Sequence, residues 1–105
     1  MFGGDRYQTI GIQQTIPLEV QFALWGLIDQ ARHDGLELDY LQVFEIEEID
    51  SNDGLRKLMI SHKQEVPERE ATYTLDIAET TTIVSAKIFV IDDGTHSTML
   101  LASEY

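Results

Sequence analysis

One uninterrupted helical segment constrains this fold more than any other feature of the sequence. Residues 17–34, PLEVQFALWGLIDQARHD, contain no proline after Pro17 and one internal glycine, and Gly35 follows where a left-handed residue commonly ends a helix. The rest of the chain consists mainly of short runs in which apolar and polar residues alternate, a pattern typical of β-strands. One long helix among several strands predicts an α+β fold, with an amphipathic helix packed on a mostly antiparallel sheet of about five or six strands.

The predicted helix carries two apolar stripes. At about 100° per residue, the first is the expected core face, and its members are Val20, Leu24, Leu27, Ile28 and Ala31. The second stripe, Leu18, Phe22 and Trp25, is spaced i, i+4, i+7 and is separated from the first by polar residues. A helix that lies on one sheet buries one stripe, so the second stripe requires another cover. That cover is either a segment of the same chain or a second molecule, and these three residues are therefore candidate partner-binding residues.

Strand patterns occupy several segments that are bounded by turn-forming residues. These segments are residues 6–13, 38–49, 55–64, 70–77 and 85–92. In the second of them the apolar residues change parity, with Val43 on one face and Phe44 on the other, which predicts either two partly buried faces or a β-bulge. A short loop that pairs residue 51 with residue 55 predicts a hairpin in which Ile46 lies opposite Ile60.

The segment IDDGTHSTMLL, residues 91–101, is the densest in reactive side chains, but it fits a β-hairpin better than a catalytic loop. An Asp93–Gly94 turn is a strong hairpin signal and predicts a further strand after it. Pairing residue 92 with residue 95 places a mostly apolar set of residues on one face. The members of this set are Ala86, Ile88, Val90, Ser97, Met99 and Leu101.

The same segment also suggests a metal site, which the pattern favours less. Asp92, Asp93 and His96 could offer two oxygens and one nitrogen to a divalent ion. Strand geometry points Asp92 and His96 to opposite faces, and no second group of carboxylates is fixed beside them. A metal-dependent enzyme at this position is therefore the least favoured functional hypothesis.

Each motif of enzyme chemistry lacks a member. The sequence contains no GxSxG elbow, no phosphate-binding loop and no CxxC, and its glutamates lie mostly in an open acidic run. His33 lies near the end of the predicted helix, where it suits the helix dipole better than the role of a general base. We therefore predict no catalytic, cofactor-binding or metal-binding residue, and a protein that is not an enzyme.

Negative charge dominates the composition, because 19 acidic residues against 7 basic ones give a net charge of −12. The basic residues are scattered and form no footprint for a phosphate backbone, which argues against direct nucleic-acid binding. Seven carboxylates and no lysine or arginine lie between Glu37 and Asp53. This run is either a solvated face that maintains solubility or a contact surface for a basic partner, and Glu45, Glu47 and Glu48 are the candidate contact residues.

Length and composition limit the cellular setting. A chain of 105 residues can bury a sizeable core, so residues 1–105 are predicted to form one domain. No apolar run approaches the ~20 residues that span a bilayer, so no membrane association is predicted. The chain has no cysteine, which makes the cytoplasm the simplest compartment.

Four segments of the chain resemble a small family of bacterial and phage proteins known as domain of unknown function 960. These segments are RYQTIGIQQTIPLEVQFALWGLID, LDYLQVFEIE, QEVPE and IDDGTHSTMLLASEY. The likeness covers nearly the whole chain, and its most specific parts are the helix with its IP and LW pairs and the terminal DDG and STMLLA segment. The resemblance implies a compact α+β domain in a cytoplasmic or phage setting, and it implies no activity or catalytic residue.

Two functional hypotheses follow in order of preference. The first is a non-enzymatic interaction domain that presents its acidic surface to a basic protein partner, one form of which is mimicry of nucleic acid to block a nucleic-acid-binding protein. The second is a homo-oligomeric structural or regulatory module that is joined through Leu18, Phe22 and Trp25.

Overall fold

A computed structural model of the chain describes residues 1–49 and 56–105. Its elements are β1 (Asp5–Gln8), α1 (Ile10–Thr15), α2 (Leu18–His33), β2 (Leu41–Ile49), β3 (Lys57–Gln64), β4 (Arg69–Asp76), β5 (Ala86–Asp92), β6 (His96–Leu101) and a 3-10 turn, η1 (Ala102–Glu104). The strands form one six-stranded sheet in the order β1-β6-β5-β2-β3-β4. Neighbouring strands are antiparallel except β1 and β6, which are parallel. The predicted α+β class and mostly antiparallel sheet are confirmed.

Helix α2 begins and ends where the sequence predicts. It starts directly after Pro17, and Gly35 follows its C-cap with φ +75°. The Gly35 amide donates to the Arg32 carbonyl (3.0 Å) and the Leu36 amide donates to the Ala31 carbonyl (3.1 Å), so the last turn closes as a Schellman motif. The predicted core stripe is confirmed, because four of its members, Val20, Leu24, Ile28 and Ala31, are buried and Leu27 packs against them.

The predicted register of the hairpin formed by β2 and β3 is confirmed. Ile46 lies opposite Ile60, and Phe44 lies opposite His62. The register is continuous along β2 on both sides, so the change of parity does not come from a bulge. It arises because both faces carry apolar residues, with Phe44 buried under α2 and Val43 half-buried on the other face. The predicted loop between these strands falls largely outside the described residues.

Residues 6–13 do not form one strand, contrary to the prediction. Strand β1 ends at Gln8, and α1 begins after Thr9. The Thr9 Oγ1 accepts a hydrogen bond from the Ile12 amide (3.3 Å), which caps the short helix, and Ile12 is fully buried. Burial of this isoleucine and the threonine cap together favour helix over continued strand.

The predicted register of the hairpin formed by β5 and β6 is wrong, although the predicted faces are right. The Asp93 amide donates to the His96 carbonyl (3.0 Å), so the turn residues are Gly94 and Thr95. Asp93 instead precedes the turn, where its carboxylate accepts from the amides of Thr95 (3.0 Å) and His96 (2.9 Å). Each pairing therefore shifts by two residues, which preserves side-chain parity. Four members of the predicted face, Ile88, Val90, Ser97 and Met99, are buried.

The turn supports a prediction for Gly94. This glycine has φ +100°, a conformation that side chains with a Cβ rarely adopt, and a Cβ there would meet nothing within 4 Å. We therefore expect Gly94→Val to lower the free energy of unfolding by about 1 to 3 kcal/mol through backbone strain. Urea denaturation measures this, and His96→Ala, which removes a side chain that is 41% exposed, should cost less. A divalent ion that raises the melting temperature only while His96 is present would contradict a purely structural role.

A buried polar cluster holds the segment before β2 against the end of β3. The Gln42 side chain accepts from His62 Nε2 (2.6 Å) and donates to the Asp39 carbonyl (2.8 Å) and to Gln64 Oε1 (2.9 Å). The Gln64 amide donates in turn to the carbonyl of Glu37 (3.0 Å). These bonds fix residues 37–39 at the same end of the sheet as the turn between β3 and β4.

Candidate interaction surface

The sheet has one covered face and one open face. Both helices contribute their buried side chains to a single core on the covered face, where they pack with alternate residues of the strands. The residues between those alternate positions form the other face, which neither helix covers, and we call it the open face. The open face carries an apolar patch on the neighbouring strands β2, β5 and β6. Its members are Leu41, Val43, Phe89, Ile91 and Leu100, all half-buried.

Strand register makes this apolar patch contiguous. Phe89 lies opposite Val43 on one side and opposite Leu100 on the other, and Ile91 lies opposite Leu41. The C-terminal Tyr105, which is 77% exposed, meets Phe89 edge-on with its ring centroid 5.5 Å away. A large aromatic side chain at the margin of an apolar patch is typical of contact surfaces.

The charges on the open face are nearly balanced. All three lysines of the chain lie on it, at positions 57, 63 and 87. Lys57 lies 3.7 Å from Asp76 and Lys63 lies 3.7 Å from Glu70, while Lys87 lies opposite Glu45. Glu47 is the further carboxylate of this face on β2. Two shallow grooves of about 370 and 450 Å³ cross the open face, and Lys87 borders both.

The structure separates the three glutamates that the sequence groups together. Glu45 and Glu47 are exposed on the open face, whereas Glu48 belongs to the opposite parity of β2. Arg56 donates to both carboxylate oxygens of Glu48 (3.1 and 2.7 Å), and these hydrogen bonds lower the pKa of Glu48. Arg56 also donates to the carbonyls of Ala78, Glu79 and Thr81. Glu48 is thus part of a structural clamp, and only Glu45 and Glu47 remain available as a pair.

A different group of carboxylates shares one end of the sheet. Strands β2 and β4 begin at this end, strand β3 ends there, and the turn from β5 to β6 lies there too. Segments that are distant in sequence therefore converge. Hydrogen bonds of the Gln64 side chain hold residues 37–39 at this end, and the Val66 amide donates to Asp39 Oδ2 (3.1 Å). We call this group the acidic end, and its members are Asp5, Glu37, Asp39, Glu65, Glu68 and Asp93. The run from Glu37 to Asp53 is therefore not one surface, because β2 carries its members away from this end.

The second helix stripe is only partly covered by the chain itself. Leu18 is 58% exposed and Phe22 is 65% exposed, but Trp25 packs against the core. The Arg6 guanidinium lies 4.7 Å from the centre of the Trp25 ring and is held there by a salt bridge to Asp29. The salt bridge also lowers the pKa of Asp29, chiefly through the hydrogen bonds from Arg6. The predicted stripe thus divides into an exposed pair and a tryptophan covered by β1.

The groups considered for a metal site are occupied by hydrogen bonds within the turn. Asp92 is buried and accepts from the Phe2 amide (3.2 Å) and the Gly94 amide (3.3 Å). Hydrogen bonds from the backbone of His96 and Thr95 lower the pKa of Asp93. Within residues 1–49 and 56–105, no three His, Asp or Glu side chains are grouped to hold a metal ion. In the same part of the chain, neither α-helix is long and apolar enough to cross a membrane.

Comparison with known proteins identifies the family. Residues 5–104 match the family described as "Staphylococcal protein of unknown function (DUF960)". The chain belongs to this family. The resemblance inferred from the sequence is therefore confirmed over nearly its whole length, and the family's bacterial setting with it. No curated protein is similar to this chain.

A solved structure shares the fold of this family member. It is a crystal structure described as "the protein of unknown function from Enterococcus faecalis", which is 26% identical and superimposes with a TM-score of 0.78. The match covers 97% of this chain and 91% of that chain. The structural match supports the architecture, and neither comparison brings an activity, so the function must be argued from the surfaces.

Proposed function

We propose that the protein is a non-enzymatic interaction domain that binds a basic protein partner through the acidic end, with Glu45 and Glu47 extending the contact onto the open face. The convergence of carboxylates from four chain segments at one end of the sheet carries this proposal. Three of the arginines, Arg6, Arg32 and Arg56, bind carboxylates outside this group, namely Asp29 and Glu48. The six carboxylates of the acidic end outnumber the cations beside them, which include Arg32, Lys63 and Arg69, so a surplus of negative charge remains there.

Electrostatics favours a basic partner for this surface. A cluster of like charges raises the local concentration of oppositely charged molecules and accelerates their association. A protein that binds nucleic acid presents lysine and arginine side chains to phosphates, so the acidic end can compete for the same side chains. Mimicry of nucleic acid is accordingly the form of this function that we favour.

Neutralising the acidic end should weaken capture of the partner. We expect the triple variant Glu37→Gln, Glu65→Gln, Glu68→Gln to slow association roughly tenfold, because steering by exposed charges acts mainly on the association rate. Affinity capture from bacterial lysate identifies the partner, and surface plasmon resonance on the purified pair measures the rate. The matched control is the triple variant Glu19→Gln, Asp76→Asn, Glu79→Gln, which removes the same number of negative charges from positions outside the acidic end.

Salt provides the second arm of this test. Raising the ionic strength from about 0.1 to 1 M shortens the Debye length from about 10 to 3 Å, so binding to a basic partner should weaken strongly. Nucleic acid added in excess should displace the chain from a nucleic-acid-binding partner. A partner whose binding ignores salt, and responds equally to both triple variants, would rule out the acidic end as the contact.

A second candidate function is the homo-oligomeric module joined through the helix stripe. The exposure of Leu18 and Phe22, two large apolar residues one turn apart, favours it. This stripe is narrow, because Trp25 turns toward the core.

A further inference from the structure

The open face leaves a contiguous apolar surface without a covering layer. Leu41, Val43, Phe89, Ile91 and Leu100 adjoin one another across three neighbouring strands, and the folded chain covers them only partly. Contiguous apolar patches on a protein surface often mark contact surfaces. A two-layer fold whose sheet has one uncovered face buries that face when a further layer packs on it.

Charge indicates what can approach this face. The chain carries a net charge of −12, so two copies repel each other over most orientations. The open face is an exception, because it holds all three lysines against five carboxylates, those of Asp5, Glu45, Glu47, Glu70 and Asp76. A strongly basic partner gains less from this face than from the acidic end. A second copy of the chain meets the least repulsion there and finds an apolar patch that matches its own.

The dimensions of the open face also fit a second copy. The five intervals of ~4.8 Å between six strands set the width of the sheet, and about seven residues at ~3.3 Å set its length. The flat area is therefore roughly 550 Å², to which the relief of the side chains adds. A stable interface of standard size takes about 800 Å² from each partner. The whole open face, including its lysine and carboxylate margin, is thus close to the area that a dimer requires, whereas the exposed pair Leu18 and Phe22 on α2 offers much less.

We infer that two copies of this chain dock through their open faces, with the sheets packed face to face and both α2 helices on the outside. Sheets that pack in this way lie about 10 Å apart with their strands rotated by roughly 30°. A two-fold axis that runs across the strands places the apolar patch of one copy on that of the other. The dimer covers Glu45 and Glu47 and adjoins the groove that Glu65 and Glu68 border, so it competes with the proposed partner for that part of the contact.

Light scattering on size-exclusion fractions tests the dimer across a concentration series. Wild type should run at about twice the chain mass of 11.9 kDa. Phe89→Lys places a charge at the centre of the apolar patch and should raise the dimer dissociation constant roughly 30-fold or more. Phe22→Lys is the matched control, because it makes the same substitution at an exposed residue on the opposite side of the molecule, and it should leave the dimer intact.

Two further measurements keep the test decisive if Phe89→Lys fails to fold. Val43→Lys changes a neighbouring residue of the same patch and should dissociate the dimer in the same way. In wild type, hydrogen exchange should show concentration-dependent protection of β5 and β6 and none on the exposed side of α2. High salt should strengthen the dimer by screening the net repulsion, which is opposite to its expected effect on a basic partner.

Several outcomes would overturn the inference. Wild type that remains at 11.9 kDa up to about 1 mM has no such dimer. A dimer that survives Phe89→Lys and Val43→Lys but dissociates with Phe22→Lys uses the helix stripe instead. Because these readouts need no partner protein, their failure would leave the proposed binding at the acidic end untouched.

Discussion

Acidification from pH 6.5 to pH 4 should lower the free energy of unfolding by roughly 3 kcal/mol through His62 alone. This imidazole is 2% exposed, stacks on Phe44 with ring centroids 4.2 Å apart, and bonds through Nε2 to Gln42. Its Nδ1 is buried without a hydrogen-bond partner. A proton added there would create a poorly solvated charge, so burial, with a smaller contribution from Arg69, lowers the pKa of His62 to about 4.

The sign of the effect follows from proton uptake. Between the folded pKa of about 4 and the ordinary value of 6.5, the unfolded chain binds a proton at His62 and the folded chain does not. Stability therefore rises with pH across this window and is fully present above it. Carboxylates whose pKa is lowered lose their contribution as the pH falls through and below their ordinary values, 3.8 for Asp29 and Asp93 and 4.5 for Glu48 and Glu104, so they add to the loss only at the acid end of the window.

Urea denaturation at several pH values measures this linkage. His62→Gln should flatten the profile between pH 6.5 and pH 4, whatever its effect on absolute stability, because it removes the titrating group. His33→Gln, which alters an exposed histidine, is the matched control and should retain the wild-type slope. A wild-type profile that is flat across this window would show that His62 is not held neutral by the fold.

The polar cluster around His62 also shows what the sequence conceals. His62 was predicted to face Phe44 across the hairpin, because alternation of apolar and polar residues sets register when one face is buried. Gln42 and Gln64 lie on the buried faces of β2 and β3, although a polar residue in a strand normally indicates a position that faces solvent. Their partners come from each other, from His62 and from residues 37–39, and the approach of residues 37–39 depends on tertiary structure.

The short elements were less predictable than the long ones for a related reason. Helix α2 contains enough turns for its stripe and its glycine cap to be recognised, whereas α1 has only six residues and depends on Thr9 and on burial of Ile12. The sequence-based prediction placed the β5–β6 turn one residue too early, because an Asp-Gly pair normally supplies both central residues of a hairpin turn. Here the Asp93 carboxylate binds the following amides instead, which moves the turn forward by one residue.

The candidate surfaces could be predicted only in part. Leu18, Phe22 and Trp25 were identified as a stripe apart from the core face because the helical period separates them, and of these three Leu18 and Phe22 are exposed. The acidic end was missed, since its carboxylates come from segments that are adjacent only in the folded sheet. A signal for the open face was present in the parity change at Val43 and in the continuous apolar run of β5, but both also fit a sheet covered on two sides.

Trp25→Ala should lower the free energy of unfolding by about 3 kcal/mol and leave the association state unchanged. The tryptophan packs against the core and lies under the Arg6 guanidinium, so truncation removes apolar contacts and leaves a cavity beside β1. Because Trp25 is partly exposed, the expected loss of stability lies near the lower end of the range for truncating a large aromatic side chain in a core. Urea denaturation gives the stability, and light scattering across a concentration series gives the mass.

Phe22→Ala is the natural control for Trp25, because both residues belong to the stripe predicted from the sequence. Phe22 is 65% exposed, so its truncation should change the free energy of unfolding by no more than about 0.5 kcal/mol. The two models of the stripe then predict opposite results. If Trp25→Ala left stability unchanged but reduced the mass in solution, the tryptophan would be an interface anchor rather than part of the core. A less stable variant that self-associates as wild type does would assign Trp25 to the fold and leave Leu18 and Phe22 as the only exposed part of the stripe.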